Sequence, residues 1–195
     1  MAFIKTNSKP KRLRFNQFSN DWSTYNFYEL IKLYRGSSPR PISKYRTKKD
    51  GVNWIKIGDT KNSSNYQISS VGEQISKEGA MQSRKVERGE LILANSMSFG
   101  KTYMLNIEGC IYDGWFVLRE YEKSFDKFFL IQMLNSNYMK RQYERLSTGG
   151  VVQNISSEIV YSTKIFKPSI AEQQKIAEFL SSVDKKIHLL EKKKE

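Results

Sequence analysis

Residues 168–190 read PSIAEQQKIAEFLSSVDKKIHLL, and this stretch decides the architecture of the chain. Five apolar residues follow one another at intervals of four, three, four and three positions: Ile176, Leu180, Val183, Ile187 and Leu190. This is the a/d pattern of a coiled-coil seam. Ser169 and Glu172 have the spacing of a capping box, in which each side chain bonds a free backbone N–H at the helix start. The stretch therefore predicts a long helix over residues 169–195 with a helix interface along its seam.

The same pattern also suits an amphipathic helix packed on its own globular domain. Phe179 and Leu189 widen the apolar stripe, as this alternative requires. We favour the coiled coil, because no C-cap signal follows the seam. A seam of this length is marginal alone, so the helix needs a partner helix.

The residues before the helix predict a strand-rich domain. Short apolar or alternating runs predict strands at residues 52–57, 91–94, 101–105, 115–119 and 163–166. Residues 125–134 and 138–146 have helical spacing, and residues 22–34 suggest a strand running into a short helix. Residues 60–85 show too little periodicity to assign. We therefore predict an α+β fold, with a mixed, strand-rich globular domain at residues 1–168, including a basic lead-in at 1–20, and a long coiled-coil-forming helix at 169–195.

The charge of the chain points to a polyanionic partner. The net charge is +13, and residues 1–49 alone carry 12 Lys and Arg against two acidic residues. Nucleic acid is the first candidate, because cations that neutralise phosphates release condensed counterions. An anionic membrane surface is the second, and a generic basic surface is the alternative without a partner. Since no apolar run reaches the roughly 18 residues of a membrane span, we expect no membrane partner.

Common catalytic motifs are missing from the sequence. It has no Pro-Pro dipeptide of the kind that an adenine methyltransferase motif contains, and no Walker-type loop for ATP. Two triplets, Asp59-Thr60-Lys61 and Asp184-Lys185-Lys186, match only half of a nuclease motif. We therefore expect no catalytic residue, no metal ligand and no cofactor on this chain.

The lone histidine and the lone cysteine support that expectation. His188 lies on the predicted helix among lysines, where a zinc or catalytic role would lack partners. Cys110 excludes an internal disulfide and fits a reducing cytoplasm, the location we expect.

Three polar loops carry the residues that suit DNA recognition. Arg suits guanine, Asn and Gln suit adenine, and glycine lets the backbone approach a groove. The loops span residues 35–46, 95–101 and 148–154, and Lys56 lies in the predicted strand between the first two. The candidate DNA-binding residues are Arg35, Ser37, Ser38, Arg40, Lys44, Tyr45, Arg46, Lys56, Asn95, Ser96, Ser98, Lys101, Thr148, Gly149, Gly150, Gln153 and Asn154.

Several segments resemble the specificity (S, HsdS) subunits of type I restriction-modification enzymes. They are residues 10–15 with Trp22 and 28–30, residues 36–40 and 54–59, residues 89–96 with 99–101, residues 149–156, and Pro168 with 172–177, Asp184, Ile187 and Leu190. The match is scattered across nearly the whole chain, and the closing helix motif is its most specific part. The resemblance identifies one target recognition domain followed by one spacer helix.

The resemblance implies a subunit without catalysis of its own. Such a subunit reads one half of a two-part target in double-stranded DNA and positions methyltransferase subunits, and through them restriction subunits. S-adenosylmethionine, ATP and Mg are then expected on those partners. Members of the family usually carry two recognition domains and two spacer helices. This chain is therefore expected to be either a half-length subunit that forms a homodimer through its helix, or a fragment of a longer subunit.

Three other functions stay open at this stage. An RNA-binding module could stack unpaired bases on Tyr45, Trp54 and Tyr66. A magnesium-dependent nuclease could use Asp59 and Lys61. In a protein-interaction adaptor, the helix would be the whole function.

Overall fold

The structure is a computed structural model that describes residues 14–63, 65–96, 100–146 and 154–192. The strands are β1 (Ser23–Asn26), β2 (Lys32–Arg35), β3 (Arg46–Thr47), β4 (Val52–Ile55), β5 (Gln67–Ile68), β6 (Gln74–Ile75), β7 (Arg84–Val86), β8 (Leu91–Ala94), β9 (Thr102–Leu105), β10 (Gly109–Ile111), β11 (Trp115–Arg119) and β12 (Lys164–Lys167). The helices are α1 (Phe27–Leu30), α2 (Lys77–Met81), α3 (Lys127–Leu134), α4 (Asn137–Leu146), α5 (Ser157–Tyr161) and α6 (Ile170–Lys192). The fold is α+β, as predicted.

Ten of these strands form two five-stranded sheets. One sheet has the order β2-β11-β8-β9-β5 and the other β3-β6-β4-β10-β7. Most neighbouring strands run antiparallel, but β5 pairs with β9 and β4 pairs with β10 in parallel. Strands β1 and β12 form a separate antiparallel ribbon, in which Ser23 lies opposite Lys167. The ribbon joins the start of the domain to the segment that leads into α6.

The apolar core lies on both faces of the first sheet. Strand β8 is buried at all four positions, and its side chains alternate between the two faces. Ile92 packs into the cluster shared with Ile55 and Ile111 of the second sheet. Leu91 packs into the cluster that holds α3, α4 and Ala177 of α6. A run of consecutive apolar residues is what a strand covered on both faces requires.

The longer predicted elements are confirmed. Strands β4, β8, β9, β11 and β12 and helices α3 and α4 lie where the apolar patterns place them, with ends shifted by at most two residues. The prediction for residues 22–34 was incomplete, because a second strand, β2, follows the short helix α1. Residues 60–85, left unassigned by sequence, hold β5, β6, α2 and β7.

The capping box at the start of α6 is only half formed. The backbone N–H of Glu172 donates to Ser169 Oγ at 3.3 Å, as predicted. The Glu172 carboxylate, however, accepts from Arg14 Nε at 2.6 Å, from Arg14 Nη2 at 2.7 Å and from Trp22 Nε1 at 3.0 Å. The side chain that was expected to cap the helix therefore holds the lead-in against it instead.

The two halves of α6 have different surroundings. In the first half Glu172, Gln173 and Ala177 are buried, and Ile176 packs against the core. Gln173 accepts from the Asp126 N–H at 2.8 Å and donates to the carbonyls of Ser124 and Pro168, each at 3.0 Å. The first turns of the helix are thus anchored to the globular domain.

In the second half of α6 the seam is exposed. Val183, Ile187 and Leu190 are 38%, 49% and 54% exposed. Leu180 is half-buried, and Phe15 of the lead-in packs edge-on against Phe179 at 5.9 Å between ring centroids. Both alternatives for the helix therefore describe part of it: its start packs on its own domain, and its end presents an apolar stripe to solvent.

Candidate nucleic-acid interface

The described parts of the three candidate loops meet around one turn, Tyr112–Gly114. This turn follows β10 and leads into β11, so it connects the two sheets. The sequence Tyr112-Asp113-Gly114 reads as a turn between strands, as the structure bears out, although the two strands belong to different sheets and form no hairpin. Asp113 provides the main contacts within the cluster.

The 35–46 loop is held by the Asp113 carboxylate. Ser38 donates from its backbone N–H at 3.2 Å and from its hydroxyl at 2.8 Å. Arg40 donates from Nη2 at 3.2 Å while its side chain stays 80% exposed. Arg35 Nε donates to the Asp113 carbonyl at 3.3 Å. One half-buried turn therefore orients two arginines and a serine.

Gly36 allows the 35–46 loop to approach the turn closely. Its N–H donates to the Trp115 carbonyl at 2.9 Å, and a Cβ built at this position would lie 2.0 Å from the Tyr112 carbonyl oxygen. No larger residue fits without moving the backbone of one of the two segments. The sequence predicted that loop glycines let the backbone approach a groove. At Gly36 the close approach is to another segment of this chain, the Tyr112–Gly114 turn.

The 95–101 and 148–154 loops are joined directly. Ser96 and Asn154 form an isolated antiparallel bridge, and the Ile155 N–H donates to the Asn95 carbonyl at 2.6 Å. Asn95 Nδ2 donates to the Asp113 carbonyl at 2.9 Å, and Ser96 Oγ lies 3.4 Å from the Tyr112 hydroxyl. Contacts thus run without a break from the 35–46 loop to Asn154.

These contacts change the part that some predicted residues can play. Asn95 is only 4% exposed, so the structure gives it a positioning role. Lys101 and Asn154 are exposed, and Ser96 is half-buried. Five candidates lie outside the described residues: Ser98, Thr148, Gly149, Gly150 and Gln153.

The remaining candidates lie beside this cluster, and two of them are already ion-paired. Arg46 Nε lies 3.3 Å from a Glu73 oxygen, and Lys56 Nζ bonds the other oxygen. The bond from Lys56, together with the charges of Lys56 and Arg46, holds the pKa of Glu73 below its ordinary value against the opposing effect of burial. Lys56 therefore forms an ion pair with Glu73, and its contact with DNA stays a prediction. Lys44 is exposed.

Sequence reasoning missed the contacts that connect the sheets behind the 35–46 loop. Two guanidinium groups contact the Tyr34 ring, with Arg84 at 5.6 Å and Arg119 at 5.7 Å from its centroid. Arg84 Nε donates to the Arg35 carbonyl at 3.2 Å. No periodicity marks these residues, because strand β7 is only three residues long. The only available signal was the local density of Arg and Lys in residues 84–88.

Two of the rival functions lose support from the geometry. Trp54 is 2% exposed, and Tyr66 packs into the core with its ring 6.3 Å from Tyr103, so neither ring is presented for base stacking. The Asp59 carboxylate accepts from the N–H groups of Lys56 at 2.7 Å and Gly72 at 3.0 Å, which is a structural role. Among the described residues no group of three or more His, Cys, Asp or Glu is arranged to hold a metal ion.

In the described ranges no helix has the length and apolarity that a membrane crossing demands.

A strand-rich α+β domain with clustered polar and basic loops and an attached long helix has the features expected of a nucleic-acid recognition module. The sequence model of the family described as "Type I restriction modification DNA specificity domain" matches residues 19–195. The chain therefore belongs to the family of type I restriction-modification specificity domains.

Solved structures share the fold at low sequence identity. A chain from a study of complex assembly and conformational transition of the type I R-M system matches with a TM-score of 0.69 and 19% identity over 90% of this chain. The HsdS subunit from Thermoanaerobacter tengcongensis matches with a TM-score of 0.69 and 20% identity over 91%. The type I restriction-modification S subunit from M. genitalium matches with a TM-score of 0.59 and 15% identity over 88%. In each case this chain covers 41% of the longer chain.

Proposed function

We propose that this chain reads one half of a two-part DNA target as the specificity subunit, or part of it, of a type I restriction-modification system. The observation that carries the proposal is the convergence of the described parts of the three polar loops, namely residues 35–46, Asn95 with Ser96, and Asn154, around the Tyr112–Gly114 turn. Loops that are separated in sequence by up to about a hundred residues are thereby held as one surface. Base readout requires such a rigid arrangement, because a donor or acceptor must meet one base edge.

The predicted residues of this surface suit different contacts with DNA. Asn154 and Gln153 supply amides of the kind that pair with adenine, and Arg35 and Arg40 supply guanidinium groups that suit guanine or phosphate. Lys44 and Lys101, with Lys48 and Lys49, face solvent and suit phosphate contacts. Substituting the lysines should weaken binding to all sequences together and reduce its dependence on salt.

The helix α6 serves to place this half-site reader within a larger assembly. We infer that its exposed seam pairs with another helix and thereby fixes the distance between two recognition domains. A second copy of this chain would supply the second half, and a symmetric homodimer would then favour a palindromic target. Methyltransferase subunits, and restriction subunits through them, are the further partners. They would carry S-adenosylmethionine, ATP and Mg, while this chain remains non-catalytic.

Methylation mapping tests the proposal most directly. A bacterial strain that expresses this chain with type I methyltransferase subunits should carry methylated bases at one sequence motif, and a strain without the chain should not. Asn154→Ala should relax that motif at one position, since a lost base contact is worth about 1–3 kcal/mol. The exposed Asn16→Ala variant serves as the control and should leave the motif unchanged. The absence of any chain-dependent motif would contradict the proposal.

A further inference from the structure

The C-terminal end of α2 presents an apolar side chain to solvent beside the 35–46 loop. Met81 is 73% exposed, the largest value among the exposed large hydrophobic residues of the described part of the chain. Gln82, the next residue, is also exposed. We refer to residues 81–84, from the last residue of α2 to the first residue of β7, as the α2–β7 turn. Sequence patterns did not single out this turn, because residues 60–85 lack periodicity.

The α2–β7 turn is tied to the 35–46 loop at three points. Ser37 Oγ donates to the Gln82 carbonyl at 3.3 Å, and Gln82 Nε2 donates to the Tyr45 hydroxyl at 3.1 Å. Arg84 Nε donates to the Arg35 carbonyl at 3.2 Å. The turn is therefore held to the loop and belongs to the same surface.

Close packing beneath the turn limits its freedom. A Cβ built at Gly79 of α2 would lie 2.8 Å from Tyr45 Cβ, so the helix rests directly on the loop. Ser76 caps α2 by accepting from the Gly79 N–H at 3.2 Å. The exposed Met81 and Gln82 side chains thus lie on a backbone that is packed against Tyr45. Sequence readout needs side chains on such a fixed backbone.

The chemistry around the turn fits a DNA groove. Six cationic side chains lie in the turn, directly after it or in the 35–46 loop: Arg35, Arg40, Lys44, Arg46, Arg84 and Lys85. Gln82 Nε2 donates to Tyr45 and to the Glu78 carbonyl, so the group that Gln82 offers to DNA is Oε1, which can accept from the amino group of adenine or cytosine. An apolar side chain can contact the methyl group of thymine. We propose that the α2–β7 turn is a fourth DNA-reading element, in which Gln82 contacts a base edge and Met81 an adjacent thymine methyl. This inference rests on the proposed function and adds residues to its reading surface.

Selection from a pool of random-sequence DNA duplexes tests this role. The full chain is used, and the enriched motif of the wild type is compared with those of Gln82→Ala and Met81→Ala. Each variant should lose base preference at one or two positions while keeping the rest of the motif. Its affinity for the wild-type motif should fall about tenfold. Because neither side chain is charged, the salt dependence of binding should not change.

Matched controls separate this role from a general effect on folding. Phe128→Ala removes another half-exposed apolar side chain, and Gln174→Ala another exposed amide, both in the groove between α3 and α6. These two variants should enrich the wild-type motif with wild-type affinity. Circular dichroism should show that all four variants are folded, since the substituted side chains lie at the surface.

The outcomes distinguish the two proposals. A wild-type chain that enriches a motif, with Met81 and Gln82 variants that enrich the same motif at equal affinity, overturns the role of the turn and leaves the proposed function intact. Variants that bind DNA normally but lose a methyltransferase subunit would assign the turn to a protein contact and overturn the inference as well. A wild-type chain that enriches no motif overturns both.

Discussion

Single carboxylates organise this molecule at two distant places. Asp113 holds the 35–46 loop through Ser38 and Arg40, and Glu172 holds the lead-in through Arg14 and Trp22. Each acidic residue binds an arginine from another part of the chain, and with Arg46 on Glu73 three of the twelve Lys and Arg of residues 1–49 are ion-paired. The count of basic residues alone therefore overstates how many cations are free to meet DNA, whereas the net charge of +13 already subtracts the acidic residues.

The pairing of Glu172 with Arg14 predicts a pH-dependent stability. Hydrogen bonds from Arg14 hold the pKa of Glu172 below its ordinary value, while burial acts in the opposite direction. A glutamate in the unfolded chain has a pKa of about 4.3 and binds the proton more readily than Glu172 in the folded protein. The stabilisation that the ion pair gives to the folded state is therefore complete above that pH. It is lost as the pH falls through the lower pKa of the folded state.

The variant Glu172→Gln measures this contribution. At neutral pH it should lower the midpoint of thermal unfolding by several degrees, since Arg14 loses a charged partner that is 1% exposed. The difference from the wild type should shrink as the pH falls below about 4.3. The exposed Glu122→Gln variant provides the control and should change the midpoint little. A difference that stayed constant down to pH 3 would argue against the ion pair as its source.

At the scale of elements, the loop that leads into β9 contains a position that only glycine suits. Gly100 has a φ of +74°, and a Cβ there would lie 2.5 Å from two ring atoms of Tyr143. Its N–H donates to the Ala94 carbonyl at 3.0 Å, which closes the 95–101 loop at its base. The loop therefore depends on the packing of β8 and β9 against α4.

Replacing Gly100 by alanine should disturb both stability and the loop. We expect Gly100→Ala to lower the free energy of unfolding by about 1–3 kcal/mol, because the added methyl group overpacks the buried Tyr143 ring and strains the backbone. Urea denaturation measures this change. The control is Gly58→Ala, where a Cβ would meet nothing within 4 Å, and it should have a much smaller effect. Equal effects of the two substitutions would show that the Tyr143 contact is unimportant.

The elements also show what the sequence could predict. Strands β8 and β11 and helices α3 and α4 are long enough to show a period, and they were found at nearly the right residues. Strands β3, β5 and β6 have two residues each, which is shorter than any detectable pattern. Strand β10 is completed by parallel pairing with β4, a contact between residues more than fifty positions apart. Its position depends on tertiary structure that local propensity does not encode.

The candidate site also combines features that local sequence predicts with features that long-range packing sets. Residue types alone identified the three loops, because glycine, arginine and amide residues have distinct uses at a groove. They did not reveal that Asn95 is buried, or that Lys56 and Arg46 share Glu73, because burial and ion pairing are set by long-range packing. The α2–β7 turn became a candidate only through its contacts with Ser37 and Tyr45.

At the scale of the whole molecule, α6 is the element that, under the proposed function, connects the recognition surface to partner subunits. Its first turns are locked to the domain by Glu172 and Gln173, so the direction in which the helix leaves the domain is determined by these buried contacts. Its second half carries the exposed Val183, Ile187 and Leu190. A rigid junction followed by an apolar seam is what a fixed spacing between two DNA half-sites would require.

This division predicts that the seam can be broken without harming the domain. Ile187→Asp should leave the unfolding midpoint of the domain nearly unchanged, since Ile187 is 49% exposed. It should weaken association with the partner helix tenfold or more, because burying an Ile side chain contributes about 1.5–3 kcal/mol and a charge in its place opposes association. Sedimentation velocity over a range of concentrations measures self-association, and co-purification measures binding to a methyltransferase subunit.

A control on the same helix isolates the effect of the seam. Ser182→Asp introduces the same charge at an exposed position off the seam, where the serine hydroxyl bonds only the Phe179 carbonyl among the described contacts. It should associate like the wild type. If Ile187→Asp retained both self-association and methyltransferase binding, the exposed stripe would not be an interface, and the spacing of the half-sites would have to be set elsewhere. Suppose instead that Ile187→Asp lost the DNA motif while still assembling. The second half of α6 would then act on the recognition surface itself. That result would contradict the division of α6 into a first half anchored to the domain and a second half that contacts only partners.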